Sequence, residues 1–260
     1  RQTLLFNTME AVQLNANRRN GNLRLYEFGN CYFYDEAARD AEKPLSAYSE
    51  QYRLAIAVTG AAVPQSWNAK PQASSFFTLR AVAEKLLRRF GLDIYALKCD
   101  PLQSDLFGDG ISLSAGNGRE LLQMGVVAPR IRRAFDLKQE VYYLEMNFDA
   151  LVKSTRKHRI AFEELSKFPE VKRDLALLVD KQVTFSALRD VAFATERKLL
   201  KSVSLFDVYE GDKLPEGKKS YALSFILEDK TRTLDEKAIE RAMQNLTAQF
   251  ERQCGAHVRA

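Results

Sequence analysis

Two spacings of apolar residues divide this chain. Leu5, Met9, Val12 and Ala16 stand three or four positions apart, which places them on one face of a helix from Leu4 to Asn17. Asn20-Gly21 stops it. Leu23 to Phe28 and Cys31 to Tyr34 are then expected as two strands about a Gly29-Asn30 turn, and Arg53 to Thr59 as another, closed by Gly60. Phe76, Leu79, Val82, Ala83, Leu86 and Leu87 return to helical spacing before Gly91. Ile94 to Leu97 is expected to resume the sheet. Ile111 to Ser114 and Leu121 to Val127 read as strands flanking Gly116-Asn117-Gly118-Arg119, so those glycines form a hairpin tip rather than a ligand loop. Val141 to Asn147 is one more strand, and Phe148 to Val152 opens a short helix. Residues 1–152 are thus expected to form a mixed, largely antiparallel sheet with helices packed on it.

Residues 153–166 form a basic linker, with the densest positive cluster of the chain at Lys153-Ser-Thr-Arg-Lys-His-Arg159. Residues 167–260 then read strand, helix, strand, strand, helix, strand. The strands are Val171 to Val179, Lys201 to Tyr209, Tyr221 to Leu227 and Ala256 to Arg259. Thr184 caps the first helix, and Thr233-Leu-Asp-Glu236 has the form of a capping box for the second. In that second helix Ile239, Ala242, Met243, Leu246 and Phe250 form the buried stripe, and Gly255 ends it. The order βαββαβ predicts the ferredoxin-like fold, with both helices on one face of a four-stranded antiparallel sheet and the opposite face free. The overall class is α+β.

The link between the two middle strands, Gly211-Asp-Lys-Leu-Pro-Glu-Gly-Lys-Lys-Ser220, touches the Gly-x-x-x-x-Gly-Lys-Ser/Thr signature of a phosphate-cradling loop. Five residues instead of four separate its glycines, and a strand pattern follows where a helix must begin. A hairpin connection carrying Lys213, Lys218 and Lys219 is the better reading. With Lys172 and Arg173 on the first strand and the rings of Tyr209 and Tyr221, these side chains supply phosphate donors and stacking surfaces. They are the candidate RNA-binding residues, and no catalytic or metal-binding residue is expected.

Composition narrows the classes further. The chain has 260 residues, 46% hydrophobic and 28% charged, with a net charge of +5. Those values fit an ordinary globular protein and permit a polyanionic partner. No apolar run is long enough to cross a bilayer, so a cytoplasmic protein without a membrane partner is expected. Cys31, Cys99 and Cys254 are odd in number and widely spaced, which builds neither a disulfide framework nor a metal knuckle. His158 and His257 have no neighbour in sequence that suggests a metal site or a triad.

Four blocks carry a family likeness: Lys167-Phe-Pro-Glu-Val-Lys-Arg-Asp-Leu-Ala-Leu177, Ser202-Val-Ser-Leu-Phe-Asp-Val-Tyr-Glu-Gly211, Leu214-Pro-Glu-Gly-Lys-Lys-Ser220 and Arg232-Thr-Leu-Asp235. In this order the segment resembles the ferredoxin-fold anticodon-binding domain of bacterial phenylalanyl-tRNA synthetase β chains. Upstream, Leu4-Leu5-Phe6, Asn20-Gly-Asn-Leu-Arg24 and Leu25-Tyr-Glu-Phe-Gly29 resemble the same family's core, a class II synthetase fold without an active site. Arg24 and Gly118-Arg119 stand outside the family's ATP-binding positions, and neither is carried over as an ATP ligand. The resemblance implies an α2β2 heterotetramer that attaches phenylalanine to tRNA(Phe) with ATP and Mg²⁺, neither of them bound by this segment. It further implies that the α chain performs the chemistry, that the core supports it, and that the last domain holds the anticodon region, with no role for DNA. The chain begins at Arg1, and an editing domain and an N-terminal tRNA-binding module are expected upstream. The alternatives are an assembly module with no specific tRNA contacts, or an independent enzyme with a phosphate-loop site.

Overall fold

The computed structural model describes residues 1–156, 159, 161–162 and 164–259. His158 lies outside the described residues. Two compact units result, Arg1–Ile160 and Ala161–Ala260.

The first unit runs α1 (Leu5–Asn17), β1 (Leu23–Tyr34), β2 (Tyr48–Thr59), β3 (Ala61–Val63), β4 (Gln72–Ala73), α2 (Phe76–Arg89), β5 (Lys98–Pro101), β6 (Phe107–Ser114), β7 (Glu120–Val127), α3 (Pro129–Ala134), β8 (Val141–Asn147) and α4 (Phe148–Thr155). Six strands form one sheet in the order β1-β2-β8-β7-β6-β5, and every neighbouring pair is antiparallel. Strand alternation sends side chains to two separate cores. On one face Leu5, Met9 and Val12 of α1 pack with Cys31, Ala55 and Tyr143. On the other, Leu79, Ala83 and Leu87 of α2 and Leu151 of α4 pack with Leu54, Leu122, Leu144 and Met146. Ser75 and Thr78 close a reciprocal cap at the start of α2, satisfying donors that the first helical turn leaves free.

Two expectations are corrected in this unit. Leu23–Tyr34 is a single strand, paired without interruption to Tyr48–Thr59. Gly29 is not a turn residue: a Cβ there would stand 3.1 Å from Leu4 Cδ2 and would also meet the Arg1 side chain, so its bareness lets the segment before α1 lie against the strand. Ile94–Ala96 is a 3-10 turn, not a strand. The Asp93 carboxylate accepts the Tyr95 N–H at 3.0 Å, a local bond that competes with the sheet ladder, and the strand begins only at Lys98.

The second unit runs β9 (Val171–Asp180), α5 (Phe185–Thr195), β10 (Leu200–Tyr209), β11 (Lys218–Leu227), α6 (Glu236–Cys254) and β12 (His257–Val258). Its sheet order is β10-β11-β9-β12, the ferredoxin-like arrangement. Thr184 caps α5 through the Ala187 N–H, and Gly255 closes α6 at φ 59°. The α6 cap differs from expectation. Asp235, not Thr233, accepts the Ala238 N–H at 2.7 Å, which matches the strong preference for aspartate at that position. Leu188, Ala192, Ile239, Leu246 and Phe250 of the helices meet Leu177, Val179, Leu223, Phe225 and Leu227 of the sheet in one core. By alternation, Lys172, Asp174, Ala176, Leu178 and Asp180 of β9 point to the other side.

Candidate nucleic-acid interface

That other side is built row by row from the strand register. Tyr209 stands opposite Ser220, Ser220 opposite Leu178, and Leu178 opposite His257. The next rows run through Asp207, Ala222 and Ala176 and through Ser204, Ser224 and Asp174. The β10 register shifts between Leu205 and Asp207. The extra residue, Phe206, leaves its ring 58% exposed. Lys172 Nζ sits 5.9 Å from the centre of that ring. At the other end of the face, the Arg259 guanidinium lies 5.5 Å from the centre of the Tyr209 ring. Rings, cations and hydroxyls on one open sheet face suit unstacked bases, because a base offers every ring a π-face and the bordering donors fit phosphate and sugar. The hydroxyls this face exposes are those of Ser202 and Ser204 on β10, whereas Ser220 and Ser224 of β11 are buried and the Ser224 hydroxyl has no hydrogen-bond partner.

The expected residues do not all share this face. Lys172, Tyr209 and Lys218 do. Lys213 is exposed in the hairpin connection. Lys219 and Tyr221 stand opposite Val179 and Leu177 and so point to the helix side, where they are 8% and 7% exposed. There the Lys219 ammonium lies 4.6 Å from the Tyr221 ring centre, and the Tyr221 hydroxyl donates to the Val183 carbonyl at 3.4 Å. Arg173 also faces that side and pairs with Glu236 at 2.8 Å. The strand begins at Lys218, three residues before Tyr221, and this places two adjacent lysines on opposite faces.

Charge on the open face is balanced. Lys218 pairs with Asp180 at 2.7 Å and Lys172 approaches Asp174 at 3.8 Å. Stacking and hydrogen bonding, rather than a surplus of positive charge, dominate what this face offers. Gly217 turns the chain at φ 79° and leads directly into β11. The phosphate-loop reading therefore loses the helix it needs.

Elsewhere the chemistry is quiet. Burial pushes the thiols of Cys31, Cys99 and Cys254 upward, away from the reactive thiolate. Among the described residues no group of three or more His, Cys, Asp or Glu side chains could hold a metal ion, and no helix is long and apolar enough to cross a membrane. Arg24 donates to the Ala62 carbonyl at 2.9 Å. On the first unit, edge strand β1 exposes Tyr26, Phe28, Tyr32 and Tyr34. Tyr26 and Phe28 border an apolar groove of about 380 Å³ whose other walls include Leu54, Ile56 and Leu86.

Residues 1–148 match the family described as Phenylalanyl tRNA synthetase beta chain CLM domain. The chain belongs to that family. Residues 166–259, the stretch that holds the open sheet face, match the Ferredoxin-fold anticodon binding domain. The chain is 46% identical over 259 residues to the phenylalanine–tRNA ligase beta subunit of Bacteroides thetaiotaomicron, covering 100% of this chain and 32% of that protein. It is 40% identical over 259 residues to the beta subunit of Porphyromonas gingivalis, with the same coverage. For Geobacillus kaustophilus the identity is 32% over 259 residues, covering 100% of this chain and 31% of the relative. The chain thus spans about a third of the length of the curated relatives it matches.

Proposed function

We propose that this chain is the non-catalytic, RNA-holding part of a phenylalanine–tRNA ligase β subunit, working in the cytoplasm within an α2β2 enzyme. The single observation that carries this reading is the open face of the β10-β11-β9-β12 sheet, with Tyr209 and Phe206 presented among hydroxyls and cations. Unstacked anticodon bases of tRNA(Phe) are held over those rings, while Lys172, Lys213 and Lys218 meet the backbone. Arg173, Lys219 and Tyr221 support the sheet from its helix side. The aromatic edge of β1 and its groove form the surface on which the first unit meets the α chain, since an apolar row of this kind on an edge strand favours a partner. ATP and Mg²⁺ serve the α chain, which carries the chemistry. This chain's part is to bind and orient.

One observation favours the second reading, an assembly module without specific tRNA contacts: aspartates offset the lysines of the open face. The two separate by measurement. In the assembled α/β enzyme, Tyr209→Ala should weaken binding of a tRNA(Phe) anticodon stem-loop by about 1–3 kcal/mol, the usual worth of one stacked base. The melting temperature should barely change. Unchanged affinity for both Tyr209→Ala and Phe206→Ala at low salt would leave only the assembly role.

A further inference from the structure

Tyr209 is not free to choose its position. Gly211 has an unexceptional backbone, yet a Cβ there would stand 2.7 Å from the Tyr209 hydroxyl oxygen and 2.8 Å from Cζ. Only the missing side chain admits the ring. From the opposite edge of the sheet comes Arg259, anchored where its N–H donates to the Ala176 carbonyl at 2.9 Å. Three strand spacings, about 14 Å, separate β12 from β10. The guanidinium and the ring meet on the open face, where Arg259 comes in beside the row of Ala176 and Ala222 and Tyr209 stands in the row of Ser220 and Leu178.

We infer that Gly211 and Arg259 are positioning residues that hold the Tyr209 ring on the open face, and that a base of the bound RNA stacks on the outer side of the Arg259 guanidinium, giving a column of tyrosine, arginine and base. This rests on the open face being the RNA surface. Arginine suits the middle place because its planar guanidinium stacks on a ring on one side and a base on the other, whereas the compact ammonium of lysine does neither. Arg259 then adds specificity for an unpaired nucleotide, a role distinct from a phosphate contact.

The test uses the assembled α/β enzyme and anticodon stem-loops, either intact or carrying one abasic nucleotide at each anticodon position in turn. Arg259→Ala and Arg259→Lys should both weaken the intact stem-loop by about tenfold, the effect of losing one stacked base. The Arg259→Ala penalty should vanish on the one abasic RNA that lacks the stacked base. Gly211→Ala should weaken binding in the same range while the melting temperature holds. Full affinity in Arg259→Lys would reduce the residue to a point charge and overturn the column. Tighter binding by Arg259→Ala would make the arginine a lid on Tyr209 and overturn it equally. Weakening by Tyr209→Ala with no effect of Arg259→Ala would sink the inference and leave the RNA surface standing. Loss of no affinity in any variant, Tyr209→Ala included, would remove the RNA surface itself.

Discussion

The two antiparallel sheets of this chain are finished in different ways. The six-stranded sheet has helices and packed apolar side chains on both faces, and its buried Glu145 carboxylate gathers Thr3, Tyr143 and Arg53. The four-stranded sheet puts both helices on one face and leaves rings, hydroxyls and paired charges on the other. A sheet closed on both sides can present itself only at its edges, as β1 does with its tyrosines. A sheet closed on one side has a whole face for a flat ligand. Exposure and burial thus divide the strands of the second unit residue by residue, and the division can be attacked on a single strand.

The largest effect should come from the covered face of β11. Phe225 is fully buried and its ring lies 6.0 Å from that of Phe250, centre to centre. Phe225→Ala should cost about 3–5 kcal/mol of stability, as removal of a buried ring does, read as an earlier denaturant midpoint with the slope unchanged. Ile226, its neighbour on the open face, is only partly buried. Ile226→Ala should cost less than half as much. Equal losses would mean that the two faces are not differently packed, and the comparison would fail at its root.

Much of this arrangement is legible in the sequence. The alternation of helical and two-residue spacing is enough to order the second unit as βαββαβ, and that order already requires a bare sheet face. What it does not reveal is which residues occupy that face. Beginning the strand at Tyr221 hides the fact that Lys218 and Lys219 are already in the ladder, where the two-residue period separates them. Phe206 reaches the open face only through a register shift between Leu205 and Asp207, and no local pattern announces a bulge there. Arg259 is further still from view. Its meeting with Tyr209 depends on β12 lying beside β9, a non-local pairing that leaves no local trace in the sequence. Gly29 teaches the same lesson in the first unit, since a glycine required by close approach looks in sequence like a glycine required by a turn.

A smaller effect is expected where the first unit closes over its polar groups. Tyr143 is 1% exposed and its hydroxyl donates to Glu145 at 2.6 Å. The same carboxylate accepts the Thr3 hydroxyl and the Leu4 N–H and pairs with Arg53. Tyr143→Phe should cost about 1.5–3 kcal/mol, the range for a hydrogen bond to a charged group. Burial, and then the Glu145 charge, hold the Tyr143 hydroxyl well above its ordinary pKa of 10.0. Above that pH the unfolded chain releases a proton that the folded chain keeps, so stability falls as pH rises. Melting curves between neutral pH and the alkaline side should show a steeper decline for the native protein than for Tyr143→Phe. Parallel declines would remove Tyr143 from the alkaline dependence.

The smallest effect is predicted for the residue that looks most important in the sequence. Lys218 faces the open sheet but stands 2.7 Å from Asp180, which is itself largely exposed. An exposed pair of this kind is worth about 0–1 kcal/mol, and its lysine reaches an RNA backbone only by sharing or leaving its aspartate. Lys218→Ala should therefore weaken stem-loop binding by no more than about 1 kcal/mol, well below Tyr209→Ala, with a slightly shallower dependence on salt. Asp180→Asn frees the same lysine and should strengthen binding at low salt, an advantage that fades as salt screens the phosphates. If Lys218→Ala instead matched Tyr209→Ala, charge rather than stacking would govern this face. The contrast between a sheet closed by packing and a sheet opened for rings would then have to be rewritten around its lysines.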